Sequence, residues 1–308
     1  MSTGARVPEI DAVRGLALCG ILVVNLVGIT GIQVDPGPVH DLYETLLHQR
    51  FFPVFSFLFG LSAGLMLRRL DQRPQAVLLA RFGFLIPFGM VHQVLQPGEV
   101  LLVYAVVGIV VLVPASYLPR AVVLAAGTVA TVAALATGGG TALIPGLFLL
   151  GMAAVSYGLP SLVASGHVMT AFGVTATAAV ALNLWQLARE TDALAATAGV
   201  VTGAAYVTGL LVLAARWRAV GSLLEPLGRL ALTNYVTATV FVLAADRVLN
   251  LGDERRLPVV LGTAAAILVL QGVASRLWLR RYRHGPLEWM WRCLTWWRAM
   301  PNRTRAAT

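Results

Sequence analysis

Apolar stretches of about twenty residues recur along this chain, and in a bilayer only helices or closed barrels satisfy the backbone of such runs. Ten are read, near 13–34, 51–70, 76–95, 99–117, 119–137, 142–160, 166–187, 195–215, 228–249 and 257–278. Charged residues make up 12% of the sequence, about half the share found in soluble domains. The expected fold class is therefore all-α: a polytopic integral membrane protein with about ten transmembrane helices.

The net charge of +9 follows one side of that membrane. Basic residues fall in alternate connections: Arg6 and Arg14; Arg68, Arg69, Arg73 and Arg81; Arg120; Arg216, Arg218 and Arg229; then Arg276, Arg280, Arg281, Arg283 and Arg292. The opposite connections are acidic or balanced, with Asp35, Asp41 and Glu44, then Arg189, Glu190 and Asp192. Asp246, Asp253 and Glu254 with Arg247, Arg255 and Arg256 form the third of these. The positive-inside rule puts both termini in the cytoplasm. Nucleic acid is not an expected partner, whereas membrane lipids are, with the four Trp after residue 288 suited to the headgroup layer. With no lysine present, Schiff-base chemistry is excluded. Cys19 and Cys293 stand far apart and in no metal-ligand spacing, so neither a disulfide nor a metal is expected. The first apolar run is long and lacks a small-residue cleavage pattern, so no cleavable signal peptide is expected. Three regions are read: 1–118 carries most polar motifs, 119–222 is an Ala-, Gly- and Thr-rich scaffold whose helices can approach closely, and 223–308 ends in a basic aromatic tail.

Four stretches carry chemistry. The first, RVPEIDAVRGLALCGILVVN, sets Asp11 and Arg14 three residues apart on one helix face and then isolates the amide of Asn25 in an apolar run. As plain structure this is a membrane helix with an interfacial ion pair and one packing amide. The second is the outward connection, where Pro36 and Pro38 bracket a turn and His40, Glu44 and His48 form an i, i+4, i+8 stripe. That stripe can serve a proton relay, a metal or merely an exposed interfacial face, and as a metal site it lacks a fourth ligand nearby. FFPVFSFLFGLSAGL follows, with Gly60 and Gly64 as a small-residue packing face. The third, GMVHQVLQPGEVLLVYAVVG, turns tightly at Pro97-Gly98 and places His92 and Glu99 on one membrane face; Glu99 is also suited to cap a helix N-terminus. The fourth, EPLGRLALTNY, opens a helix at Pro226 with Arg229 in its first turn. Arg229 there is near enough to the cytoplasm to hold a phosphate or pair with Asp11, and Asn234 lies inside the span.

EIDAVRGLALCGILVVN, FFPVFSFLFGLSAG, GMVHQVLQPGEVLLVYAVVG, LGRLALTNY and RYRHGPLEWMWRCLTW resemble, in order and spacing, the signatures of the YeiB-like membrane proteins, the domain-of-unknown-function 418 family. The resemblance covers both ends of the chain; the stretch 120–220 is generic and short for the family, and Gly98-Glu99 stands where the family usually has Gly-Asp. That family is similar in turn to the transmembrane acyltransferases that include heparan-alpha-glucosaminide N-acetyltransferase. The likeness lies in Arg6, Asp11, Arg14 and Gly15 at the start of the first helix, in the amide Asn25, and in a far-side histidine before Phe52-Pro53, to which His40 is nearest. The resemblance implies a multi-pass protein of a bacterial-type plasma membrane that moves an acyl group, acetyl by analogy, from cytoplasmic acyl-CoA to an acceptor outside. Acyl-CoA would be donor substrate, with Arg14, Arg229, Asn234 and Asp11 at its site. His40, His92, Glu99 and Asn25 would be the catalytic set. A transporter or permease-like carrier is the competing class, and a homo-oligomer is compatible with the sequence.

Overall fold

The computed structural model describes residues 7–32, 37–70, 72–159, 167–189, 191–252 and 257–304. Arg6, Asp35, Pro36, Glu190 and residues 253–256, used above, lie outside the described residues. The described chain is helical. Its first helix, α1 (Pro8–Thr30), starts with Pro at the first helical position and stops at Gly31, whose left-handed backbone (φ 65) closes the C-terminus. At about 1.5 Å per residue its 23 residues are long enough to cross a bilayer core.

Two helices follow where one stripe was expected. α2 (Pro38–Leu46) ends before His48, and α3 (Phe51–Arg69) begins after Gln49, whose φ of 58 breaks the helical path. The expected stripe is thus interrupted, although His48 Nδ1 still reaches Glu44 Oε2 at 2.7 Å. α4 (Pro74–Gly83), α5 (Leu85–Leu95) and α6 (Leu101–Ala115) come next. Near its end α6 widens over Gly108–Leu112 just before Pro114, which has no N–H to give the preceding turn. α7 (Arg120–Ala136), α8 (Leu143–Ser156), α9 (Val168–Ala188) and α10 (Asp192–Arg216) complete the middle of the chain.

A correction concerns the start of the C-terminal region. Pro226 does not open a helix: it lies inside α11 (Arg218–Arg229), and Arg229 is in the last turn of that helix, not the first. Val220, Leu223, Leu224 and Leu227 recur on one face of α11, an amphipathic pattern that extends the helix back to Arg218. The chain then bends by 79° into α12 (Ala231–Leu249), followed by α13 (Leu257–Arg281) and α14 (Pro286–Thr295).

Six helices among the described residues are long and apolar enough to cross a membrane, or seven with the bent pair α11–α12 counted as one span. Leu101–Ala115, Arg120–Ala136 and Gly140–Ser156 are apolar but shorter. α9 leaves Met169, Val174, Val180, Leu184 and Trp185 exposed, an apolar surface that suits lipid rather than water.

α1 is the central element. Its first half joins the largest core with α3, α6 and α8, through Ala17 and Leu18 beside Phe55, Tyr104 and Phe148. Its second half forms another core with α12 and α13, through Leu22 and Leu26 beside Val242, Val260 and Ala264. Two glycines let it touch α11 backbone to backbone, since a methyl at Gly15 would strike the Leu224 carbonyl and one at Gly228 the Asp11 carbonyl. Gly60 likewise meets the Phe148 carbonyl across the α3–α8 contact, the packing role its sequence predicts.

Candidate functional site

The turn between α5 and α6 is written in its residues. Glu99 N–H donates to Gln96 O at 3.3 Å, and Gly98, at φ 82, takes the third position after Pro97. Proline pre-sets the second position of such a turn and glycine alone accepts the third without strain. The turn folds Glu99 back over the end of α5. There its Oε1 accepts from Leu102 N–H (2.9 Å) and its Oε2 from Leu101 N–H (2.6 Å), so the carboxylate caps α6. Oε2 also lies 3.0 Å from His92 Nδ1.

Both groups are buried, His92 at 1% and Glu99 at 3% exposure, and each therefore needs its hydrogen bonds. The other imidazole nitrogen, Nε2, lies 2.9 Å from Thr239 Oγ1 on α12, and Thr239 Oγ1 donates to Gln96 Oε1 at 2.9 Å. Thr239 has one hydroxyl hydrogen. With that hydrogen on Gln96, His92 Nε2 must donate to Thr239, and one further proton is shared between His92 Nδ1 and Glu99 Oε2. Whichever atom holds that proton, the pair carries no net charge.

Tyr235, one turn before Thr239, packs against the His92 ring at 4.9 Å between centroids, tilted by 60°. Asn25 from α1 borders the same spaces as Tyr235. A cavity of about 90 Å³ opens beside them, lined by Asn25, Tyr235, Gln96, Gly98 and Glu99, and closed by Gln49 and Phe52 from the α2–α3 junction. A smaller space of about 10 Å³, room for a single water, lies on the other flank of Asn25 and Tyr235 and reaches Asn234 and Gln271. Glu99 lines the larger cavity; His92 stands behind it.

The remaining expected residues lie elsewhere. Arg14 donates to Asp11 Oδ1 at 2.7 Å and to Ser62 Oγ at 2.6 Å. Arg14 lies about 16 Å and Asp11 about 21 Å down α1 from Asn25, given the helical rise of about 1.5 Å per residue. Arg229 lies 3.6 Å from Glu225 and reaches the Arg283 carbonyl, beside Gly228 and hence beside Asp11. Asn234 is spent on structure, because its amide donates to Leu227 O (3.1 Å), freed by the α11–α12 bend, and to Ser275 Oγ (3.0 Å). His40 is half-buried on α2 and does not line the cavity.

Gln96, Thr239 and Gln49 were not singled out from sequence. The signal for the first two is helical spacing: Gln96 is four residues after His92, and Thr239 four after Tyr235, each a polar group recurring on one face. Below the bend, Glu288 of α14 accepts from Thr233 N–H (2.9 Å) and Thr233 Oγ1 (2.5 Å), capping α12 from the tail. Burial raises the Glu288 carboxyl above its ordinary range, against the Thr233 hydrogen bonds that lower it. Arg50, at 1% exposure, is held by Thr45 O, His48 O, Asn183 Oδ1 and Gln186 Oε1, tying the α2–α3 junction to α9.

Residues 159–298 match a family described as "Protein of unknown function (DUF418)". That stretch contains α12 and α14, and therefore Asn234, Tyr235, Thr239 and Glu288. An "Uncharacterized 39.9 kDa protein in amylase 3'region" from Bacillus acidopullulyticus is 31% identical over 331 residues, covering 96% of this chain and 95% of that protein. The "Uncharacterized protein YxaH" of Bacillus subtilis (strain 168) is 33% identical over 106 residues, 32% of this chain and 26% of that protein. No solved structure matches. The family signature spans the helices that carry half of the polar cluster, and the longer likeness runs through α1 and the His92–Glu99 turn as well, so this chain belongs to the DUF418 family of YeiB-like proteins.

Proposed function

We propose that this protein is a membrane-bound acyltransferase that passes an acyl group from cytoplasmic acyl-CoA to a hydroxyl or amine acceptor at the outer face. The observation that carries the reading is the cavity in which a buried carboxylate, held by an imidazole and two backbone N–H groups, meets an amide and a tyrosine hydroxyl. Acyl transfer needs those parts: a base at the nucleophile and donors at the developing oxyanion. Glu99, which lines the cavity, takes the acceptor proton, and His92 positions it. Asn25 and Tyr235 donate to the oxyanion. The thioester C–S bond breaks as the new acyl bond forms, and the proton passes from Glu99 to the departing thiolate. The donor end is at Asp11, Arg14 and Arg229, where α1 and α11 meet and two guanidinium groups could face CoA phosphates.

In this reading the three shorter apolar helices complete ten spans in a bacterial-type plasma membrane, with both termini cytoplasmic. The support is the arginine excess on alternate connections. The test is transfer of labelled acetyl and longer acyl groups from CoA in membranes containing the protein. Glu99→Gln and Asn25→Ala are expected to slow turnover by about a hundredfold or more. No transfer by the unaltered protein from any acyl-CoA sinks the reading.

A second reading, a carrier, draws on the 79° break between α11 and α12, a feature that transporters place at substrate sites. Counterflow of a solute in proteoliposomes without any acyl donor would favour it.

A further inference from the structure

We infer that the cavity between α1, the α2–α3 junction and the α5–α6 turn is a binding site for an uncharged hydroxyl group on an apolar carrier, with the Gln49 side chain as its specific acceptor. Gln49 is the unexplained residue of the junction. Its backbone sits in the left-handed region at φ 58, which costs a non-glycine residue energy. Its side chain lines the cavity, and its Oε1, fully enclosed, has no hydrogen-bond partner among the described residues. A buried carbonyl oxygen without a donor costs about 1–3 kcal/mol. A ligand that brings the donor relieves that cost.

The rest of the lining narrows the ligand. Glu99 and Gln96 add acceptor oxygens, which a head group that donates can meet. A cation would gain little, because the His92–Glu99 pair has no net charge under the proton accounting above and no other acid lines the cavity. Asn25 and Tyr235 add groups that can donate to the oxygen of such a head group, and the rest of the wall is largely apolar, from Ile21, Val24, Leu47, Phe51, Phe52 and Val100. About 90 Å³ admits a small head group and leaves an apolar chain to follow the helices. An aliphatic alcohol fits this chemistry; an ammonium or a bare alkane does not. The inference names the acceptor class. For the ligand's role it rests on the acyl-transfer reading, although its binding does not.

The test uses the detergent-purified full chain and three photoreactive alkyl-diazirine probes of equal length: one ending in a primary hydroxyl, one in an ammonium, one in a methyl. Crosslinked residues are mapped by mass spectrometry, and no acyl donor is present. Saturable labelling by the alcohol at cavity-lining residues, at least tenfold over the other two probes, is the expected result. Gln49→Met keeps length and lack of β-branching while removing the oxygen, and is expected to cut that labelling about tenfold without lowering the melting temperature of the free protein. Equal labelling by the ammonium or methyl probe on the unaltered chain overturns the inference whether or not the variant folds. Labelling indifferent to Gln49→Met overturns it as well. Alcohol labelling with no acyl transfer from any CoA ester keeps the site and discards its role as an acceptor site.

Discussion

His92 and Thr239 stand 147 residues apart in the chain and 2.9 Å apart in the fold. Through that contact α12 holds the imidazole that holds Glu99. Thr239→Val keeps the shape and removes the hydroxyl, leaving His92 Nε2 and Gln96 Oε1 without the partner that joins them. The expected cost is about 1–3 kcal/mol of stability, seen as a lower thermal midpoint in detergent. Thr239→Ser, which restores the hydroxyl, is expected to recover most of it.

The α1–α11 contact depends on two absent methyl groups. Gly15→Ala and Gly228→Ala each push a Cβ into a facing backbone carbonyl, and backbone cannot step aside as a side chain can. Each is expected to cost about 1–3 kcal/mol, the usual range for overpacking. Gly28→Ala, on the same α1 with nothing within 4 Å, is the control. It is expected to be neutral or slightly stabilising, because alanine favours helix over glycine by about 1 kcal/mol. Equal losses at all three positions would argue against the close approach.

Arg50 braces the junction that carries Gln49. Arg50→Lys keeps the charge but loses the planar fork that reaches Thr45 O, His48 O, Asn183 and Gln186 together. Lysine is therefore not expected to rescue. Both Arg50→Lys and Arg50→Met should lose about 2 kcal/mol or more, measured by unfolding in mixed micelles, with faster proteolysis near residues 46–50.

Glu288 predicts a pH dependence with a definite sign. Its carboxyl is raised above the ordinary 4.5, so the folded state binds the proton more tightly than the unfolded chain does. Its contribution is most favourable below the ordinary value. It declines as pH rises from there through the raised value and is constant above. Glu288→Gln should flatten that decline in thermal midpoints taken from about pH 4 to about pH 8. A decline of unchanged slope in the variant would place its source elsewhere.

The sequence by itself determined what depends on short-range chemistry. Helical spans follow from apolar length, because a bilayer offers backbone groups no water to bond. That His92 and Glu99 share one face was legible because seven residues containing Pro97-Gly98 allow only a tight reversal, and the Gly60 face because glycine is the residue that admits another backbone. Tertiary structure decided the rest. It put Thr239 on His92 and set Asn25 and Tyr235 around one cavity, neighbours from helices whose register no local pattern sets. It assigned Asn234 to the carbonyl freed at the α11–α12 bend, and placed Pro226 within α11 because an amphipathic face carries that helix through to Arg229. It also ended α2 at Leu46, before His48. Spacing fixes which side chains share a helix face, but only packing fixes what that face meets.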